Sequence, residues 1–228
     1  MKHVLLILLI ACAALCAGAS TVDDIPTRKV LELTTKNTVF LTGEIEPVKL
    51  MRLADQIKAN PNLEYLVIHS PGGYTLGIDT FADVVSAHPR LKVVVAFAAS
   101  AAAAIAQMVK VPVYILPSGG LVFHRIRSPA WGDNRELIVW EERLRQLRIS
   151  DNWFTSLCLT RMNISRPQFD LFTVGKDWYL PPFGAVQVNA ADEIVEAKCS
   201  KGLHRRRHTV ESYTSRGLKM QEICNILN

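Results

Sequence analysis

Residues 91–108, LKVVVAFAASAAAAIAQM, decide the fold of this chain. The first half is nearly all apolar and rich in valine, which is typical of a strand buried on both faces of a sheet. The second half, from Ser100 to Met108, is rich in alanine, the strongest helix former. The uncharged run 93–109 has 17 residues, close to the lower limit for a membrane span. Because it is alanine-rich and contains Ser100 and Gln107, we interpret it as a buried strand followed by a buried helix.

Short apolar runs alternate with helical patterns on both sides of this stretch. The predicted strands are 38–41, 63–69, 91–97, 111–116 and 121–124, and the predicted helices are 47–59, 76–87 and 100–108. Alternation at this spacing predicts right-handed βαβ units and a largely parallel sheet, so the expected fold class is α/β. A long, highly charged helix that faces solvent or another subunit is predicted over 134–162, and short strands and turns over 177–198.

The size and charge of the chain indicate one domain with a basic end. The chain has 228 residues, of which 49% are hydrophobic, enough for one domain with a substantial core. Part of the formal net charge of +5 comes from Lys201 and the arginines at 205–207. We interpret residues 199–228 as a solvated basic tail with a short helix near 220–227, and we predict no nucleic-acid partner.

The first residues have the pattern of a targeting segment. Lys2 precedes an apolar run, and the small residues at 17–19 suit cleavage by signal peptidase. We predict a signal peptide over 1–19, a folded domain over 20–198, and an exported protein that is periplasmic or secreted. Two alternatives stay open, namely a lipoprotein anchored at Cys12 and an uncleaved N-terminal anchor.

Three cysteines remain after such cleavage, namely Cys158, Cys199 and Cys224. In an exported chain they form at most one intramolecular disulfide, and the spacing of Cys199 and Cys224 permits one that ties the tail to the domain. No His/Cys cluster has the spacing of zinc ligands, so we predict no metal site. The glycine patterns of dinucleotide and nucleoside-triphosphate sites are also missing, and we predict no cofactor.

Ser100 and His124 are the candidates for nucleophilic chemistry. Ser100 lies where a buried strand passes into a helix, at the sheet edge where ligands of α/β proteins bind. The alternative is an N-cap serine among small packing residues. His124 ends a short strand and is the residue type that activates a serine hydroxyl, although a structural histidine is the commoner case. Asp177 is the candidate that would orient the imidazole, with Asp170 and Asp192 as competitors.

The turn Ser70-Pro71-Gly72-Gly73 follows one predicted strand and precedes a helix. Two glycines allow the backbone to approach a substrate closely and to present an N–H group to an oxyanion. A simple Gly-Gly turn is the alternative interpretation.

These segments together resemble the proteolytic subunit of the Clp protease and its relatives in the ClpP/crotonase fold. The similar segments, in chain order, are Phe40-Leu41-Thr42-Gly43-Glu44-Ile45, Ile68-His69-Ser70-Pro71-Gly72-Gly73, Ala98-Ala99-Ser100, Val122-Phe123-His124, and Lys176-Asp177 followed by Asp192-Glu193-Ile194. The resemblance covers about residues 37–197, with order and approximate spacing kept. It implies a spiral of strand and helix units with a largely parallel sheet.

The resemblance also implies a serine-type endopeptidase that forms an acyl-enzyme. The implied residues are Ser100, His124 and Asp177 as the triad, Gly73 and Ala101 as oxyanion donors, and Gly72, Tyr74, Val122 and Arg125 as substrate contacts. The implied partners are a peptide or unfolded protein substrate and further copies of this chain. An exported chain meets no ATP pool, so no ATPase partner is expected, and membrane contact is limited to the signal segment or a lipid anchor.

Three other readings stay open. The chain departs from the family pattern at Ala96, at Ala101, after His124 and over 178–182, which affects the expected peptide specificity and ring-forming surface more than the chemistry. One alternative is a catalytically silent binding or assembly module of the same fold. A Ser/Lys dyad is a second alternative, with Lys110 and Lys176 as the available lysines. Acyl-CoA chemistry of the crotonase type is the third, and export makes it the weakest.

Overall fold

The computed structural model describes residues 28–127, 137–200 and 203. The predicted signal peptide, Cys12 and the basic tail with its short helix lie outside the described residues, apart from the tail's first two residues and Leu203. Cys199 is disulfide-bonded, and its partner also lies outside the described residues. Cys158 is a free, buried thiol, and burial raises its pKa strongly.

A mostly parallel sheet forms the centre of the described structure. The strands are β1 (Val30–Leu33), β2 (Thr38–Thr42), β3 (Tyr65–Ser70), β4 (Lys92–Ala99), β5 (Val113–Ile115), β6 (Leu121–Phe123), β7 (Trp178–Leu180), β8 (Glu193–Ile194) and β9 (Glu196–Cys199). The order β2-β3-β4-β5-β8 is parallel throughout, β6 lies parallel to the end of β4, and β7 is antiparallel to β6. β1 and β9 form a separate parallel pair. The α/β class with a largely parallel sheet is therefore confirmed.

Six helices lie within the described residues. They are α1 (Pro47–Ala59), α2 (Ile78–Ala87), α3 (Ala101–Met108), α4 (Leu137–Cys158), α5 (Arg166–Thr173) and α6 (Pro182–Gln187). Helix α1 has the predicted bounds, because Pro47 at its first position lacks only an N–H group that needs no partner there. The prediction that the charged helix extends to residue 162 is wrong. It ends at Cys158, and the N–H of Asn163 already donates to the Val188 carbonyl.

Strand β4 and helix α3 are the centre of the core. Val93 and Val95 pack against the helices on one face of the sheet, while Val94 and Ala96 pack on the other face against the β1–β9 pair. All the residues from 101 to 107 in α3 are buried, because alanine side chains let the helix approach the sheet closely. The run 93–109 is thus a strand and a helix, as predicted. None of the helices within the described ranges is long and apolar enough to cross a membrane.

Candidate active site

Three neighbouring parallel strands, β3, β4 and β6, end at the same edge of the sheet. Ser70 of β3 lies opposite Ala98 of β4, which lies opposite Leu121 of β6. One residue beyond β4, the Ser100 N–H donates to the carbonyl of Val122 at 2.9 Å. Neighbouring strands are about 4.8 Å apart, so this register brings the glycine turn, the serine and the histidine to one place.

Ser100 occupies a sharp turn between β4 and α3. Its backbone dihedrals are φ 54° and ψ −124°, in a region that non-glycine residues rarely adopt. Such a conformation costs of order 1–3 kcal/mol and persists only where the surrounding structure enforces it. Ser100 is the N-cap residue of α3 and is followed by small buried residues, as the alternative interpretation expects, but its side chain makes no capping hydrogen bond. Turns of this kind present a nucleophile at the top of a sheet.

Gly72 packs directly against the backbone of the Ser100 turn. A Cβ atom on Gly72 would lie 2.5 Å from the Ala99 carbonyl oxygen and 2.7 Å from the Ser100 Cβ, and its φ is +92°. The buried Ser70 hydroxyl holds this segment, since it donates to the Gly43 carbonyl at 2.6 Å and accepts from the Gly72 N–H at 3.1 Å. Gly72 is therefore more than part of a simple turn, because any side chain at this position would keep the Ser70–Gly73 turn from packing against the Ser100 turn.

Ser100 and His124 line one cavity of about 390 Å³. Its walls are Glu44, Gly73, Tyr74, Thr75, Ser100, His124, Ile126, Arg127 and Phe154. No hydrogen bond joins Ser100 to His124 among the described residues, and catalytic hydrogen bonds are commonly long or absent before substrate binds. The arrangement brings a serine and an imidazole to the same small volume.

The ring of His124 has a defined orientation. Its Nδ1 lies 2.6 Å from the carbonyl oxygen of Arg125. A carbonyl only accepts hydrogen bonds, so the hydrogen of the neutral ring is on Nδ1 and Nε2 keeps its lone pair. This is the tautomer that a general base needs.

The structure does not bring the predicted aspartates to His124. The carboxylate of Asp177 is half exposed and pairs with Arg127. Asp170 pairs with Arg125 and Arg166, and Asp192 pairs with Arg161. Within the described residues, the hydrogen bond expected from Asp177 is made instead by the carbonyl of Arg125.

One predicted oxyanion donor, Gly73, lines the same cavity as Ser100, and the other, Ala101, follows Ser100 in the chain. Gly73 is exposed and lines the cavity. Ala101 is the first residue of α3, where an N–H group has no partner inside the helix. Its side chain is buried, so only its backbone is available for that role.

The four predicted substrate contacts have different surroundings. Tyr74 lines the cavity with 62% of its surface exposed, while Gly72 is buried beneath the serine turn. Val122 is part of the sheet, and its carbonyl holds the Ser100 N–H. The Arg125 side chain points to α4 and α5, where it is bound by Asp151 and Asp170, so the structure does not support it as a substrate contact.

Sequence reasoning missed five cavity residues, namely Glu44, Thr75, Ile126, Arg127 and Phe154. Glu44 and Arg127 place opposite charges in the cavity wall. Both lie next to motifs that were recognised, so proximity to those motifs was the available signal. Phe154 comes from α4, and nothing in the local sequence relates that helix to the strand ends.

No protein-family model and no curated protein matches this chain. The resemblance to a known family therefore rests on the sequence motifs alone.

Proposed function

We propose that this chain is a serine hydrolase with Ser100 as nucleophile and His124 as general base. The observation that carries the proposal is the strained turn at Ser100, a residue that lines the same cavity as His124, whose Nδ1 is bonded to a carbonyl oxygen. A packing serine gains nothing from a conformation that costs of order 1–3 kcal/mol. Strain of this kind is concentrated at functional sites.

Within that class, we propose an exported serine peptidase of the ClpP/crotonase type. The support is the order of motifs along the chain together with the parallel strand ends that carry three of them. The proposed substrate is a peptide or an unfolded segment of protein, which would add as an extended strand between the residues after Gly73 and those around His124. Export, self-association and independence from an ATPase belong to the same proposal.

The proposed mechanism follows from the tautomer of His124. Nε2 takes the proton from the Ser100 hydroxyl as Oγ attacks the carbonyl carbon of the scissile bond. The N–H groups of Gly73 and Ala101 stabilise the oxyanion. His124 then gives the proton to the leaving amine, which leaves an acyl-enzyme on Ser100, and an activated water hydrolyses the ester by the same steps.

Two features bear on the alternatives. Neither Lys110 nor Lys176 lines the cavity, and Lys110 follows the opposite end of α3 from Ser100, so a Ser/Lys dyad has no support from the described residues. The silent-module alternative draws support from one observation, namely that no described carboxylate makes a hydrogen bond to His124. A role for Asp177 in orienting the ring requires its pair with Arg127 to open.

The test is covalent labelling of the purified protein with a fluorophosphonate probe, followed by peptide mapping. We expect label on Ser100 and its loss in Ser100→Ala and His124→Ala. Ser156→Ala is the matched control, because this serine is exposed on α4, away from the cavity, and its loss leaves labelling unchanged. A folded protein without label on Ser100 contradicts the proposal and favours the silent module.

A further inference from the structure

One peptide group links His124 to a carboxylate on α4. The carbonyl oxygen of Arg125 accepts from His124 Nδ1 at 2.6 Å. The N–H at the other end of the same peptide group belongs to Ile126 and donates to Asp151 Oδ1 at 2.9 Å. The three groups therefore form one continuous chain of hydrogen bonds, from the imidazole through the amide to the carboxylate.

We propose that Asp151 is a positioning residue for His124 and acts through the peptide group between Arg125 and Ile126. The inference rests on the proposed function, since it assigns to Asp151 and one amide the orienting role that a triad aspartate performs directly. A carboxylate that accepts from an amide N–H polarises the amide and makes its carbonyl a stronger acceptor. The effect is to hold hydrogen on Nδ1 and to support the imidazolium that forms when Nε2 takes a proton.

Asp151 is anchored firmly enough for this role. Only 17% of its side chain is exposed, and the Arg125 guanidinium binds its carboxylate through Nε and a terminal nitrogen. Burial alone raises the pKa of Asp151, but the hydrogen bonds from Arg125 and from the Ile126 N–H outweigh burial and hold that pKa below its usual range. The Asp151 carboxylate is thus charged at neutral pH, and it binds both the Arg125 guanidinium and the N–H of Ile126.

The helix that carries Asp151 also forms part of the cavity wall beside His124. Phe154 lies three residues further along α4, on the same side of the helix, and lines the cavity that holds Ser100. Helix α4 therefore contributes one wall of the cavity and the anchor of the histidine. Asp170 offers a contrast, because it binds Arg125 through the other terminal nitrogen and has no contact with the 125–126 amide.

The experiment compares Asp151→Asn with Asp170→Asn. Both variants remove a carboxylate from Arg125, but only the first changes the acceptor of the Ile126 N–H. The ¹⁵N chemical shifts of the His124 ring at neutral pH report which nitrogen carries hydrogen, and the rate of fluorophosphonate labelling reports function. We expect Asp151→Asn to mix the two ring tautomers and to slow labelling about 10–100-fold, the usual range for an outer orienting partner. We expect Asp170→Asn to keep the wild-type tautomer and to label within about threefold of wild type.

Two outcomes overturn the proposal. One is a wild-type His124 ring with hydrogen on Nε2, a measurement that needs no variant and so survives any failure of Asp151→Asn to fold. The other is an equal response of tautomer and labelling in the two variants. A wild-type protein that takes no label, but whose tautomer responds only to Asp151→Asn, leaves the positioning role intact and removes the proposed function.

Discussion

Replacing Ser100 by glycine should make the protein more stable than replacing it by alanine, although both remove the hydroxyl group. Ser100 has φ 54° and ψ −124°, where a Cβ atom costs of order 1–3 kcal/mol. Glycine relieves that strain but loses about 0.5–1 kcal/mol more backbone entropy on folding. The difference leaves Ser100→Gly about 1 kcal/mol more stable than Ser100→Ala. Since neither variant has the hydroxyl, the comparison isolates the backbone strain.

The measurement is equilibrium urea unfolding of both variants, with the denaturant slope checked for equality. Ser156 provides the matched control, since it lies in the last turn of α4 with an exposed side chain. There glycine should be less stable than alanine by up to about 1 kcal/mol, the helix propensity difference. The order of the two variants should therefore reverse between positions 100 and 156. If alanine is the more stable residue at both positions, the strained turn is refuted.

Three further predictions follow from the same geometry. Gly72→Ala should slow labelling of Ser100 about 100-fold, because the new Cβ would lie 2.5 Å from the Ala99 carbonyl oxygen. Gly77→Ala is the control, because Gly77 has φ +84° and a Cβ there would meet no atom within 4 Å. This control should lose only about 1 kcal/mol of stability and keep the wild-type labelling rate. Asp177→Asn should lower the labelling rate less than about tenfold, because its carboxylate binds an arginine; a loss near 10⁴-fold, typical of a triad aspartate, contradicts the resting geometry. Burial lowers the pKa of His69 below its usual value of 6.5, so the unfolded chain binds the proton more tightly than the folded protein does. The free energy of unfolding should therefore fall as the pH drops below about 6.5. His69→Phe should remove that part of the pH dependence in urea unfolding, and an unchanged pH dependence contradicts the prediction.

The sheet and its edge were predictable because their signals are local. Valine and alanine separate into a strand and a helix within residues 91–108, and glycine pairs mark where the strands end. Once parallel strands are inferred, their carboxyl ends must share one edge, which brings Ser100 and His124 together without any knowledge of side-chain contacts. The parts of the site that follow from chain direction alone were therefore accessible from the sequence.

The partner of His124 was not predictable, because it depends on which groups meet across long separations. The ring bonds to the carbonyl of the next residue, and that peptide unit is held by Asp151, 25 residues further along the chain from Ile126. Asp177 is 50 residues from Arg127, whose charge draws its carboxylate away. The β1–β9 pair joins strands from opposite ends of the described structure and has no local signal either.

The position of His124 depends on a change of partner along β4. The first half of β4 pairs with β5, and the last two residues of β4 pair with β6. The segment between β5 and β6 must therefore pass the end of β5 within a few residues. Gly119 makes this crossing feasible, because a Cβ there would lie 2.7 Å from the Val95 carbonyl oxygen. The next residue, Gly120, then accepts from the Ala98 N–H at 3.0 Å and starts the new pairing. If β5 continued beside β4, its own backbone would occupy the edge next to Ser100, and the base would have no place there. The catalytic proposal therefore depends on the glycines at 119 and 120 as much as on the glycines beneath the serine.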